Sequence, residues 1–132
     1  MKKILLDTNF LMACSQFKVD IFAEFDRLCD FNYRLFVLDN ILKELKDIIE
    51  TQKSVHKDAA KVALQLLKLK KVNVVKTGSE KHTDNIILDY AEKGYLVATQ
   101  DKDLKRRLIN RDLSVIALRQ KKVLVVVNDK GF

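Results

Sequence analysis

With 132 residues, of which 48% are apolar, the chain is long enough for one domain with a real core, and it needs no disulfide or structural metal to fold. Its formal net charge of +7 suits a polyanionic partner, nucleic acid or an acidic membrane surface. The absence of proline and the presence of only three glycines argue against long flexible linkers, so a single domain is expected over 1–132.

The elements, taken in chain order, alternate in type. Ile4–Leu6 reads as a short buried strand that ends at Asp7. It is too short for a signal peptide, and no stretch approaches a membrane span. From Phe10 to about Phe31 the periodicity is helical, with a break near Phe17 and Lys18. Cys14 and Cys29 lie among apolar residues without CxxC spacing, which predicts buried free thiols and a reducing, cytoplasmic setting. Arg34–Leu38 is a second strand, and Asp39 or Asn40 is placed to cap the next helix. That helix carries Ile41, Leu42, Leu45, Ile48 and Ile49 on one face. A further helix, Val55–Leu69, has Ala59, Val62, Ala63, Leu66 and Leu67 as its apolar stripe.

Val72–Val75 is a third strand, followed by a turn at Gly78 and Ser79. Asp84–Lys93 is a helix stopped by Gly94, Tyr95–Thr99 a fourth strand, and Asp103–Asn110 a short helix. Leu113–Leu118 and Val123–Val127 are the last strands, joined by the basic stretch 119–122. Strands alternating with helices predict an α/β/α sandwich with a mainly parallel sheet and an antiparallel hairpin at the C-terminal edge. In such sheets the site lies beyond the carboxyl ends of the strands.

Four acids point to that crevice. Asp7 and Asp101 follow two strand ends, although either also suits a helix cap. Asp84 heads an apolar helical face with Ile87, Leu88 and Ala91, and an inward acid must be capping, paired or metal-bound. Asp89 falls on the opposite face and reads as a surface acid. Glu44 borders the stripe of Ile41, Leu45 and Ile48; taken alone it suits a boundary residue facing water slightly better than one that reaches into a crevice beside the core. Acids that converge raise one another's pKa, and a dication removes that penalty. Hard oxygen donors without a histidine pair suit Mg²⁺ or Mn²⁺ rather than zinc, and such an ion assists in-line phosphodiester displacement.

The segments Ile4-Leu5-Leu6-Asp7-Thr8-Asn9, Glu44, Thr83-Asp84 and Ala98-Thr99-Gln100-Asp101-Lys102-Asp103-Leu104 resemble, in the same order, those of the PIN-domain nucleases. The resemblance covers nearly the whole chain. It implies a metal-dependent endoribonuclease that leaves 5′-phosphate and 3′-hydroxyl ends, with Asp7, Glu44, Asp84 and Asp101 as catalytic and metal-binding acids. It further implies Thr99 or Asn9 as residues that orient the carboxylates or a water at the metal, and Asp103 as an additional acid. The run from Asp101 to Leu108 is similar to the branch that processes ribosomal RNA in the small-subunit processome; toxin nucleases of toxin–antitoxin pairs share the same acids.

Lys102, Lys105, Arg106 and Arg107 on the helix beside Asp101, with Arg119, Lys121 and Lys122 after it, are the expected RNA contacts. The Ile41–Ile49 and Val55–Leu69 helices form an arm to which an antitoxin, a second subunit making a homodimer, a pre-ribosome partner or RNA could bind. Two rivals frame this reading. A receiver-type phosphoacceptor domain expects an acidic pair at the first strand end, where Asp7 stands alone, and an acceptor aspartate ending a central strand, where Lys76-Thr77 follow the third. A non-catalytic RNA-binding or assembly protein needs none of the acids.

Overall fold

The computed structural model describes residues Met1–Asn128; the last four residues of the expected domain lie outside the described residues. Among the described residues six strands and six helices follow in the order β1 (Lys2–Leu6), α1 (Thr8–Gln16), α2 (Ile21–Leu28), β2 (Tyr33–Leu38), α3 (Asp39–Thr51), α4 (Ser54–Leu69), β3 (Asn73–Val75), α5 (Thr83–Glu92), β4 (Leu96–Ala98), α6 (Lys102–Asn110), β5 (Val115–Arg119) and β6 (Val123–Val127). They build one sheet in the order β3-β2-β1-β4-β5-β6. Every pairing is parallel except β5 with β6.

Connections from β1 to β2 to β3 move one way across the sheet, and those from β3 to β4 to β5 move the other. Right-handed crossovers therefore place α1–α4 on one face and α5 and α6 on the other. The packing agrees: α1, α3 and α4 touch one another, and α5 touches α6. The chain thus folds as the expected three-layer α/β arrangement with an antiparallel hairpin at its C-terminal edge.

The parallel strands are short and apolar because both their faces are covered. Ile4, Leu5, Leu6, Val97 and Ala98 are buried in the central pair, with Phe10 and Phe25 among the largest side chains of the core. At the outer edge, β6 is sealed by α2: Leu124 donates its N–H to Glu24 Oε1 at 2.8 Å, and its carbonyl accepts from Arg27 Nη2 at 2.7 Å. An ion pair thereby takes the place of a neighbouring strand and blunts a valine-rich edge.

Several boundaries and side-chain directions differ from those read in the sequence. The third, fourth and fifth strands begin or end within one to two residues of the expected limits, as strand ends fray where pairing stops. Neither Asp39 nor Asn40 caps α3. Leu38 takes the cap position with no side-chain bond, and Asp39 instead accepts the Thr77 backbone N–H at 3.2 Å and its hydroxyl at 3.0 Å, tying down the loop after β3. On α4, Val62 faces water and Ala60 is buried in its place, since the helix packs on α1 and α3 through its alanines. Gly94, at φ +103°, ends α5 in a conformation that other residues rarely adopt. Both cysteines are buried and free, and burial pushes their thiols up, Cys14 to about 12 and Cys29 to about 11.

Candidate active site

The direction of strand connection reverses between β1 and β4, and the crevice beyond their carboxyl ends opens there. Asp7 follows β1 directly and is tied to β4, its N–H donating to the Ala98 carbonyl at 3.0 Å. Its side chain caps α1, accepting the Thr8 N–H at 2.8 Å. Of the two equal alternatives in the sequence, the cap is thus seen directly, and the same carboxylate remains the candidate for the functional role. Asp7 is buried, 5% exposed, and the fully buried Thr99 hydroxyl donates to its Oδ2 at 2.7 Å. Burial pushes the Asp7 carboxyl up to about 6; the Thr99 and Thr8 hydrogen bonds oppose the rise, and the charges of Asp84 and Glu44 add to it.

Glu44 projects from the second turn of α3 and is held at both oxygens. Thr8 donates its hydroxyl to Oε1 at 2.8 Å and Thr83 its hydroxyl to Oε2 at 2.6 Å, so one carboxylate joins the starts of α1 and α5 to α3. Asp84, in the first turn of α5, is half-buried; its pKa is raised by burial and then by the charge of Asp101, with Glu44 adding and His82 and Arg107 opposing. His82 stays exposed and caps α5 through Nδ1, which accepts the Asp84 N–H at 3.4 Å. Asp101 caps α6 by accepting the Leu104 N–H at 2.9 Å and donates its own N–H to the Thr99 hydroxyl at 3.1 Å.

Asp7, Glu44, Asp84 and Asp101 all line one groove of about 450 Å³, together with Thr8, Asn9, Met12, Ala13, Gln16, Ile48 and His56. The chemistry of this donor set fits a hard divalent cation, because the acids carry oxygen only and raise one another's pKa. Among the described residues, no three His, Cys, Asp or Glu side chains already stand close enough together to hold a metal ion. The acids are near enough to raise one another's pKa, Asp84 and Glu44 acting on Asp7, and Asp101 and Glu44 on Asp84.

The remaining expected residues divide. Asn9 acts on the loop after β4: its Oδ1 accepts the Gln100 N–H at 3.1 Å and lies 3.2 Å from the Thr99 hydroxyl. Asp103 is not part of the groove; it is exposed and bound to Arg106 one turn on, because α6 turns that position to solvent. Arg107 donates to Asn85 Oδ1 at 2.8 Å, at the Asp84 rim, and Lys102 is exposed beside Asp101. Arg119, Lys121 and Lys122 do not line the groove. They form the β5–β6 turn, where Lys121 Nζ lies over the Phe17 ring at 4.9 Å, although Gln100 links that end of β5 to the site through both backbone groups of Leu118. Sequence reasoning missed the hydroxyls of Thr8 and Thr83 as holders of Glu44, although each adjoins a candidate aspartate. It had no signal for His56, Met12 and Gln16, whose place depends on how α4 packs on α1. Among the described residues, no helix is long and apolar enough to cross a membrane.

A PIN-like domain model matches residues 4–121. Ribonuclease VapC4 of Methanocaldococcus jannaschii is 32% identical over 124 residues, which cover 92% of this chain and 94% of that protein. Ribonuclease VapC9 of Archaeoglobus fulgidus is 32% identical over 123 residues, covering 92% and 86%. Among solved structures, the PIN domain endonuclease Utp24 superposes with a TM-score of 0.76 at 23% identity, covering 96% of this chain and 91% of that one. A domain of a functionally unknown protein from Methanocaldococcus jannaschii superposes with a TM-score of 0.60 at 13% identity, covering 90% and 92%.

Proposed function

The chain belongs to the PIN-like domain family, and from this we propose that it is a metal-dependent endoribonuclease whose reaction takes place in the four-acid groove. The observation that carries the reading is the groove itself: four carboxylates on four elements, one of them buried and pushed up to about 6, in a relative of two ribonucleases over nearly their full length. Structural acids of a stable fold are paired or exposed. Here, among the described residues, no lysine or arginine lines the groove.

Asp7, Glu44, Asp84 and Asp101 would hold Mg²⁺ or Mn²⁺. When bound, the ion neutralises these acids, activates water and steadies the leaving oxygen. The chain's own groups set the rest. Thr99 keeps Asp7 ionised and oriented, Thr8 and Thr83 fix Glu44, and Asn9 fixes the loop that carries Asp101. Water adds to phosphorus as the bond to the 3′ oxygen breaks. The 3′ oxygen takes a proton, leaving 5′-phosphate and 3′-hydroxyl ends.

The test is cleavage of single-stranded RNA with Mn²⁺ or Mg²⁺, and its loss on chelation and in Asp101→Asn, which keeps the α6 cap. Equal RNA decay by wild type and variant would assign the activity to a contaminant. Lys102 and Lys105 on α6 are the expected phosphate contacts, since Arg106 is engaged by Asp103. In the Lys102→Ala, Lys105→Ala double variant, affinity for any RNA falls, and the slope of log affinity against log salt shrinks by about 1.4, or roughly 0.7 per lost contact. An unchanged slope places the phosphates elsewhere.

Ribosomal RNA maturation and action as the toxin of a toxin–antitoxin pair are the two settings for such an enzyme. Growth arrest on induction of wild type but not of Asp101→Asn would assign the second; an altered ribosomal RNA precursor profile without arrest would assign the first.

A further inference from the structure

We propose that the part of the groove away from the acids is a nucleobase subsite for single-stranded RNA, with Gln16 and His56 as the residues that read the base; this rests on the ribonuclease reading above. The groove runs from the acids along one face of α1. Thr8, Met12 and Gln16 follow one another at helical spacing, so Gln16 lies about 12 Å along the helix from Thr8. Ile48, one turn beyond Glu44 on α3, continues the same wall, and His56 from the first turn of α4 completes it.

The chemistry of this half excludes a phosphate. Among the described residues its side chains are a thioether, two apolar groups, an amide and an imidazole, with no lysine or arginine, and four acids lie at the other end. An anion placed there would meet repulsion and no counter-charge. An uncharged planar group meets the apolar walls of Met12, Ala13 and Ile48, an imidazole to stack on, and an amide with both donor and acceptor for its edge. Among the described residues, neither Gln16 nor His56 is bonded to another side chain, and both are exposed. They are free to bond a base, whereas Thr8, Asn9 and Glu44 are committed within the protein. The expected phosphate contacts, Lys102 and Lys105, are on α6, which follows its cap Asp101, so a strand whose phosphates follow α6 has the groove on α1 and α4 beside it for a base. A base stacked and paired in a duplex must first be flipped out, a cost that a single strand does not meet, so the subsite favours single-stranded RNA.

The test is a binding cycle that needs no cleavage. The full chain carrying Asp101→Asn is titrated with labelled short RNA while one abasic nucleotide is walked through the oligonucleotide, with and without Gln16→Ala plus His56→Ala. Both are surface positions, so folding is retained and is checked by thermal melting. One abasic position is expected to weaken binding roughly tenfold when Gln16 and His56 are present and to have no further effect in the double variant. Affinity insensitive to every abasic position, or a sensitivity that survives the double variant, overturns the subsite alone. No binding of any oligonucleotide overturns it together with the RNA reading. A second readout is the base frequency beside mapped cut ends, which is biased in the otherwise wild-type enzyme and flat in the double variant.

Discussion

Replacing Asp7 by asparagine is expected to abolish RNA cleavage and, in the same protein, to raise the melting temperature of the metal-free form at pH 7. The two effects have one cause. Asp7 is buried where the proposed metal would need its charge, and burial pushes its carboxyl up to about 6 from the ordinary 3.8. A raised folded-state pKa means that the native protein holds the proton more tightly than the unfolded chain does. Below the unfolded value both states are protonated and no penalty exists. As pH rises from about 4 through about 6, the unfolded chain ionises first, and the native state loses stability relative to it. A shift of this size corresponds to about 3 kcal/mol at neutral pH, in a group almost wholly out of water. Asparagine keeps the shape and an oxygen for the Thr8 N–H but cannot ionise. The variant therefore gains over wild type as pH rises from 4 to 7, by several degrees in melting temperature at the top of that range. Mn²⁺ reverses the order, because it stabilises wild type by binding the native state and does little for the variant. Cleavage falls at least 100-fold. The measurements are thermal melts at pH 4 and pH 7, with and without Mn²⁺, beside an RNA cleavage assay. A variant that melts below wild type at pH 7 by the same margin as at pH 4 would show that Asp7 is a structural cap and no more.

How much of this was legible in the sequence depends on how local the cause is. The strands could be read because the central ones are short runs of apolar residues, and Ile4-Leu5-Leu6 is apolar for the same reason that it is buried on both faces. Asp7 and Asp101 could be read because a strand end and a helix start are both written in neighbouring residues. Asp84 could be read from its helical direction. Other features are decided between elements far apart in the chain. Asp39 looked like a cap by position, yet Thr77, 38 residues away, competes for it and wins with two hydrogen bonds. Asp103 matched a motif position, yet the turn of α6 carries it to solvent and into a pair with Arg106. Glu44 only bordered an apolar stripe in the sequence and proves to be held at both oxygens, because its two threonines come from α1 and α5. His56 carries no local mark at all. It meets the groove only because α4 packs on α1 through small residues at Ala59, Ala60 and Ala63.

Substituting valine for Thr99 is expected to lower cleavage 10- to 100-fold and to move the acid limb of the pH profile upward, while Thr99→Ser restores both. The side chain is fully buried, and valine matches its shape, so no cavity is made. What is lost is one proton and one pair of acceptor sites. The hydroxyl has a single hydrogen to give. Its partners are Asp7 Oδ2 at 2.7 Å and Asn9 Oδ1 at 3.2 Å, and the shorter bond to a charged acceptor takes it. Asn9 remains occupied by the Gln100 N–H, so the cost falls on Asp7. Without that bond, nothing but the Thr8 N–H opposes burial, the Asp7 carboxyl rises further, and a larger fraction of the enzyme is protonated at neutral pH. The Asp101 N–H also loses its acceptor, which loosens the loop that carries a second acid. Stability falls by roughly 1–3 kcal/mol, and the deficit widens as pH rises through about 6, where Asp7 of the wild type ionises, since it is the ionised Asp7 that is left short of a partner. Serine supplies the same hydroxyl and separates this cause from a general packing fault. A valine variant with reduced activity but an unmoved pH profile would mean that Thr99 holds the loop and does not set the charge of Asp7. If it kept the profile and activity of wild type, the hydroxyl would be uncoupled from the chemistry, and the site would have to be built without it.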